Sequence, residues 1–299
     1  MRPRVVAIRC GADRHQTPEP RISVVIPTLN EARNLPHVLG RLPDGLHEVI
    51  IVDGHSVDDT VEVARSLRPD VRVVLQNRRG KGNALACGFS AVTGDVVVML
   101  DADGSTDPDE IPRYVAALTG GADFAKGSRF ALGGGSTDIT RTRAWGNRWL
   151  NRAVNLLYGT RYTDVCYGYN AFWAYCLPAL ELDAADRSRS GKLWGDGFEI
   201  ETIINTRVAK AEFVIAEVPS FEFARLHGES NLNTWRDGGR VLWALAVERV
   251  NGRGRGRERH GGLSRRRSAT SRRGLEIPRP RDASEATTGP PESVAPLSA

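Results

Sequence analysis

From Ile22 onward, short β-branched apolar runs alternate with amphipathic stretches, and this alternation constrains the fold more than any other feature. Ile22-Ser23-Val24-Val25-Ile26 is stopped by Pro27, and a helical pattern follows from Asn30 to Arg41. Glu48-Val49-Ile50-Ile51-Val52 ends at Asp53-Gly54, with Asp58 or Asp59 placed to cap the next helix. The pattern then predicts a strand over Val71 to Leu75, a helix over Lys81 to Val92 and a strand over Asp95 to Leu100. A helix over Asp107 to Leu118 and a strand over Asp123 to Lys126 come next. Near-continuous apolar strands separated by amphipathic helices imply an α/β fold, a mostly parallel sheet with helices on both faces. Ligands of such sheets sit beyond the carboxyl ends of the strands, where Asp53 and Asp101 fall.

After Gly127 the rhythm changes. A Gly133-Gly134-Gly135 loop precedes a helix near Arg143 to Tyr158, and an aromatic stretch runs from Tyr167 to Trp173. A helix over Glu199 to Ala211, a strand over Glu212 to Val218 and a helix over Thr234 to Val250 complete the folded part. The expected organisation is a loose leader over 1–20 and one domain over 21–250. Within it, 21–127 forms the nucleotide-binding half and 128–250 the acceptor-side half. Residues 251–299 are Arg, Gly, Ser and Pro with few apolar side chains, the composition of a disordered tail.

The net charge of +5 is unevenly distributed. Arg249 to Ala299 carries 12 Arg or Lys against 5 Asp or Glu, which leaves the body slightly acidic. A body of that sign argues against nucleic acid as the partner. The tail reads most economically as a solvated one, and its best functional partner is an anionic membrane surface. Cys10, Cys87, Cys166 and Cys176 form no CxxC pair, which suits reduced cysteines in a cytoplasmic protein. No apolar run approaches the ~18 residues of a membrane span, and Arg2, Arg4 and Arg9 interrupt any signal-peptide core. The expected location is cytoplasmic, with peripheral attachment at the cytoplasmic face of the membrane left open.

Chemistry concentrates at Asp101-Ala102-Asp103, directly after the apolar run Val96 to Leu100. Residues two apart on an extended chain project to one face, so both carboxylates can meet one ion. A hard divalent cation, Mg²⁺ or Mn²⁺, compensates such a pair, and a donor diphosphate can complete its coordination. Alone, the triplet reads more readily as a solvated turn.

The ordered set Val25-Ile26-Pro27-Thr28-Leu29-Asn30-Glu31, Ile51-Val52-Asp53-Gly54-His55-Ser56, Leu100-Asp101-Ala102-Asp103-Gly104 and Lys126-Gly127-Ser128-Arg129-Phe130 is more specific. It resembles the GT-A (Rossmann-like) glycosyltransferases of family 2, in particular the dolichyl- or polyprenyl-phosphate sugar transferase branch, over about Ile22 to Asn233. The resemblance implies an inverting transfer from a nucleotide-diphospho-sugar, GDP-mannose or UDP-glucose, with Mg²⁺ or Mn²⁺ held by Asp101 and Asp103. It places Pro27, Glu31 and Asp53 against the nucleoside, Asp101 at the diphosphate, and Arg129, as a catalytic group, at the diphosphate or the acceptor phosphate. Lys81, in the Gly-flanked basic loop that opens a helix, suits a phosphate at a helix N-terminus. Arg141, Arg143 and Arg225 fall on the acceptor side, and a guanidinium grips phosphate in bidentate fashion.

Asp164 opens Asp164-Val165-Cys166-Tyr167-Gly168-Tyr169-Asn170, matching a catalytic-site motif of that branch. The branch usually has serine where Tyr167 stands and a cation where Asn170 stands; in the later segment Asn231 replaces a lysine. These departures leave two acceptors in play, a polyprenyl phosphate and an alcohol or small phosphorylated molecule. A hydroxyl acceptor requires a general base, and Trp194 to Glu201 supplies Asp196, Glu199 and Glu201, with Asp196 the preferred candidate. A nucleotidyltransferase would want a Gly-rich basic loop after the first strand, and a dinucleotide oxidoreductase a GxGxxG there; neither is present.

Overall fold

The computed structural model describes residues 19–182, 184, 195–197, 199–228 and 234–255. The leader, the tail beyond Arg255 and the segment around Asn231 lie outside the described residues. The described residues fall in one compact unit.

Seven strands form the main sheet: β1 (Ile22–Thr28), β2 (Glu48–Asp53), β3 (Arg72–Leu75), β4 (Val96–Met99), β5 (Phe124–Ser128), β7 (Asn170–Trp173) and β8 (Ile215–Pro219), in the order β3-β2-β1-β4-β7-β5-β8. β1 pairs in parallel with β2 and β4, β2 with β3, and β5 with β8. Every residue of β4 is buried, as a central strand covered on both sides requires. Burying each such aliphatic side chain contributes about 1.5–3 kcal/mol. The helices are α1 (Leu35–Leu39), α2 (Thr60–Leu67), α3 (Lys81–Ala91), α4 (Ile111–Thr119), α5 (Arg141–Tyr158), α6 (Leu177–Leu180), α7 (Ile200–Lys210) and α8 (Thr234–Arg255). Two short strands, β6 (Gly135–Ser136) and β9 (Phe221–Glu222), pair beside the main sheet.

Helices cover both faces. On one, Phe89 of α3 meets Phe172 edge-on at 5.5 Å, and Phe172 stacks on Phe124 at 5.4 Å. Three residues along β5 from Phe124, a Cβ on Gly127 would strike the Tyr114 hydroxyl of α4, on the opposite face. The expected α/β, GT-A-like architecture is therefore present, with three differences. The stretch 167–173, read only as aromatic, contributes β7, which runs antiparallel between β4 and β5. The helix expected over Asn30 to Arg41 shrinks to five residues, because Asn30 adopts φ +58° and the loop before Leu35 is held by side chains. Asn30 Oδ1 accepts from the Val57 amide at 2.8 Å, and Asp58 accepts from the Ala32 amide at 3.2 Å. Helix α8 also continues past Val250 to Arg255.

Candidate active site

The carboxyl ends of β1, β2 and β4 and the first turns of α3 and α7 converge on one cleft, as the crossovers of a parallel sheet dictate. Lys81 opens α3, and its Nζ lies 2.6 Å from Asp101 Oδ1 and 2.8 Å from Glu201 Oε1 at the start of α7. Burial by itself would lower the Lys81 pKa, but Asp101 and Glu201 outweigh it and raise the pKa above its ordinary value. Burial raises the Glu201 pKa, with Lys81 pulling the other way. Gly168 faces this triad: a Cβ there would stand 2.9 Å from Lys81 Nζ, 3.2 Å from Asp101 Oδ2 and 3.4 Å from Glu201 Oε1. The main chain at 168 is thus part of the cleft wall, and only glycine leaves it open.

Asp103 belongs to a second group. Its Oδ1 accepts from the Ser105 amide and hydroxyl at 3.0 and 2.6 Å, and its Oδ2 lies 3.2 Å from an Arg225 amino nitrogen. The other Arg225 amino nitrogen donates to Glu31 Oε1 at 3.0 Å. Asn34 Nδ2 donates to Glu31 Oε2 at 2.5 Å and to the His227 carbonyl at 3.1 Å. Arg225 thereby straps the segment after β9 across the ends of β1 and β4. Burial raises the Glu31 pKa, opposed by Asn34 and Arg225. Asp53 closes β2 and is buried, accepting from the Ser56 amide at 3.0 Å and hydroxyl at 2.6 Å. Pro27 lies in β1 opposite Val52. Pro27, Glu31 and Asp53 therefore stand on the adjacent ends of β1 and β2, Glu31 joined to the Asp103 group through Arg225.

Arg129, Asp164 and their neighbours make a third, buried group. Arg129 donates through Nε and one amino nitrogen to the two Asp164 oxygens at 2.7 and 3.0 Å, and through the other to Glu222 at 2.9 Å. Asn147 of α5 adds a hydrogen bond to Asp164 at 2.9 Å. Burial would lower the Arg129 pKa, but Asp164 and Glu222 raise it. The Arg129 guanidinium lies 4.9 Å from the centroid of Tyr167, and Lys126 Nζ lies 5.7 Å from the same ring. Lys126 is fully buried and donates to the carbonyls of Gly127 and Tyr167, each at 2.8 Å. Burial pulls its pKa down to about 8. Arg143 pairs with Asp138 at 3.1 Å, and Arg141 is exposed in the first turn of α5.

Asp196 sits apart from Asp101 and Asp103 in its contacts. Both its oxygens engage Arg78, each at 3.0 Å, and the pair is almost completely buried. Its carbonyl accepts from the Gly82 amide at 3.0 Å, tying this loop to the start of α3. The structure thus brings Lys81 and Asp101 together, links Glu31, Asp103 and Arg225, and joins Arg129 to Asp164. Sequence reasoning singled out neither Arg78, Lys126, Glu222 nor Gly168. The one available signal was a lysine directly after the apolar pair Phe124-Ala125 of a strand, at Lys126.

Asp101 and Asp103 offer the hard oxygen donors that Mg²⁺ and Mn²⁺ take, and both are partly open to the cleft, at 27% and 19% exposure. Among the described residues no group of three or more His, Cys, Asp or Glu could hold a metal alone. Two carboxylates leave most positions of an octahedral ion to oxygens from elsewhere, such as a diphosphate.

A mostly parallel sheet with an acid-x-acid turn beyond its fourth strand and basic groups around it defines a GT-A-type glycosyltransferase. The chain belongs to glycosyl transferase family 2, whose model matches residues 23–181. It is 34% identical over 243 residues to the undecaprenyl-phosphate mannosyltransferase of Micrococcus luteus, covering 76% of this chain and 95% of that one. Identity to the polyprenol monophosphomannose synthase of Mycolicibacterium smegmatis is 34% over 217 residues, 68% of this chain and 77% of the relative. Among solved structures, glucosyl-3-phosphoglycerate synthase from Mycobacterium tuberculosis with UDP shares the fold, with a TM-score of 0.59 at 24% identity. That likeness covers 77% of this chain and 80% of the other.

Proposed function

We propose that this family 2 glycosyltransferase moves a hexose from a nucleotide-diphospho-sugar to a polyprenyl phosphate. The observation that carries the acceptor is the state of the candidate bases. A hydroxyl must lose its proton as it attacks, whereas a phosphate monoester is already an anion. Asp196 is locked to Arg78 and Glu201 to Lys81; of the three acids only Glu199 keeps a buried oxygen without a hydrogen-bond partner among the described residues, its other oxygen accepting from the Gly197 amide at 3.2 Å. An acceptor that needs no base suits that arrangement, and two relatives are named for sugar transfer to polyprenyl phosphates.

On the donor side, Glu31 and Asp53 lie against the nucleoside and Lys81 meets the diphosphate; Arg225, expected on the acceptor side, joins them instead, because it pairs with Glu31 and Asp103. Asp101 and Asp103 would hold the Mg²⁺ or Mn²⁺, which offsets negative charge on the departing diphosphate. Arg129 and Asp164 shape the acceptor end by fixing Tyr167 and the first turns of α5. Arg141 and Arg143 offer guanidinium groups to the acceptor phosphate there.

The test is transfer from radiolabelled GDP-mannose and UDP-glucose, with Mn²⁺, to short polyprenyl phosphates. The expected product partitions into chloroform and releases its sugar in mild acid. Label appearing only in water-soluble glycosides across a panel including phosphoglycerate and simple alcohols would overturn the lipid acceptor.

A further inference from the structure

Helix α5 has its faces arranged contrary to the usual pattern for a surface helix. Its buried stripe is half polar, made of Asn147, Leu150, Asn151 and Val154. Its outer stripe carries Trp145 at 62% exposure, Trp149 at 53% and Leu156 at 87%. Arg148 and Arg152 are exposed among them, and the helix from Arg141 to Tyr158 contains no acidic residue. The two indoles contact each other edge-on at 6.0 Å, and the Arg152 guanidinium lies 5.1 Å from the centroid of Trp149. The loop that leads into this helix exposes Leu132 at 93%.

Indole rings with an apolar body and a polar N–H favour the level of lipid headgroups, and arginines beside them meet lipid phosphates. Large apolar side chains projecting from a helix, ringed by cations and lacking acids, complement an anionic, partly apolar surface rather than bulk water. We propose that the outer face of α5 is a docking surface for an anionic lipid bilayer. The opposite face of the same helix supplies Asn147 to Asp164, the carboxylate that holds Arg129. Docking would therefore set the Arg129 end of the cleft at the headgroups. The docking face deepens the proposed lipid acceptor but does not depend on it: binding is read without turnover.

The test uses the full chain and sedimentation with vesicles of phosphatidylcholine, alone or with about one third phosphatidylglycerol. Binding is expected only to the anionic vesicles and to weaken as salt rises. Trp145→Ser with Trp149→Ser and Leu156→Gln is expected to lower the partition coefficient by roughly tenfold or more, with nucleotide-sugar binding unchanged. Arg148→Gln with Arg152→Gln is expected to lower it by a similar factor. The Arg-rich C-terminal stretch can attract the same vesicles, so a second measurement locates the contact. Lipids brominated on their acyl chains are expected to quench tryptophan fluorescence in the wild type, and much less in Trp145→Phe/Trp149→Phe. Sedimentation unaffected by the α5 substitutions, or quenching unaltered by the phenylalanine pair, would overturn the proposal. So would a dimer in solution that the triple substitution converts to monomer, since a second copy would then cover this face.

Discussion

Lys81 Nζ lies 2.6 Å from Asp101 Oδ1, so one of the two acids proposed to hold a metal is already paired with a cation of the fold. Arg225 holds Asp103 in the same way from the other side. A bare divalent ion must compete with both, whereas a metal–diphosphate complex offers the cations phosphate oxygens in exchange.

Asp101→Asn and Asp103→Asn are accordingly expected to lower transfer by roughly 10²-fold or more with the fold retained, as loss of leaving-group charge stabilisation requires. Transfer rates with Mn²⁺, beside thermal unfolding of each variant, decide the matter. Near-normal rates in both, or full turnover of the wild type in EDTA, would remove the metal from the scheme.

Gly168→Ala tests the cleft wall. The added methyl would stand 2.9 Å from Lys81 Nζ and 3.2 Å from Asp101 Oδ2, inside van der Waals contact of both. The triad must give by a few tenths of an ångström, and kcat/KM is expected to fall, by less than the roughly 10²-fold of a full 1 Å misplacement. The melting temperature is expected to move little, because Lys81 and Asp101 are side-chain ends at an open cleft. An alanine variant of unimpaired activity would show that Gly168 stands outside the working site.

Much of this was legible in the chain. Val96 to Leu100 could only be a buried strand, and the acids directly after it had to lie at a carboxyl edge. The strand at Asn170–Trp173 was not legible, because antiparallel insertion between β4 and β5 is decided by long-range pairing rather than by local pattern. Ion pairing was equally hidden. Nothing in the local sequence says that Asp196 meets Arg78, or that Arg129 meets Asp164 and Glu222. Those partners come together only through the crossovers, and they change what each carboxylate is able to do.

Asp196→Asn separates a base from a structural anion. With the Arg78 pair almost fully buried, the substitution removes the negative charge and one of the two oxygens that accept from the guanidinium. A stability loss of about 3–5 kcal/mol is expected, read from urea midpoints. The double variant Arg78→Met/Asp196→Leu is expected to be less destabilised than the single one, since both charges of the pair are removed together. A single variant of wild-type stability whose transfer falls by 10²-fold would instead mark Asp196 as a general base.

Lys126 makes stability depend on pH in an unusual direction. Its folded pKa of about 8 lies below the ordinary value of 10.5, because the ammonium is buried under Tyr167 and meets carbonyls rather than a carboxylate. Below pH 8 the folded and unfolded chains both carry the proton, so the folded state bears the full cost of the buried charge. Between pH 8 and 10.5 the unfolded chain binds more protons, and stability rises with pH across that window. The cost that disappears is about 3 kcal/mol, from the separation of the two pKa values. Lys126→Met removes the charge while keeping an unbranched side chain in the strand. It is therefore expected to be more stable than the wild type at pH 7, with the gap narrowing by pH 9.5. Urea unfolding of both proteins at the two pH values measures this. A gap that stays constant, or a variant less stable at pH 7, would mean that the two carbonyl hydrogen bonds outweigh the desolvation of the ammonium.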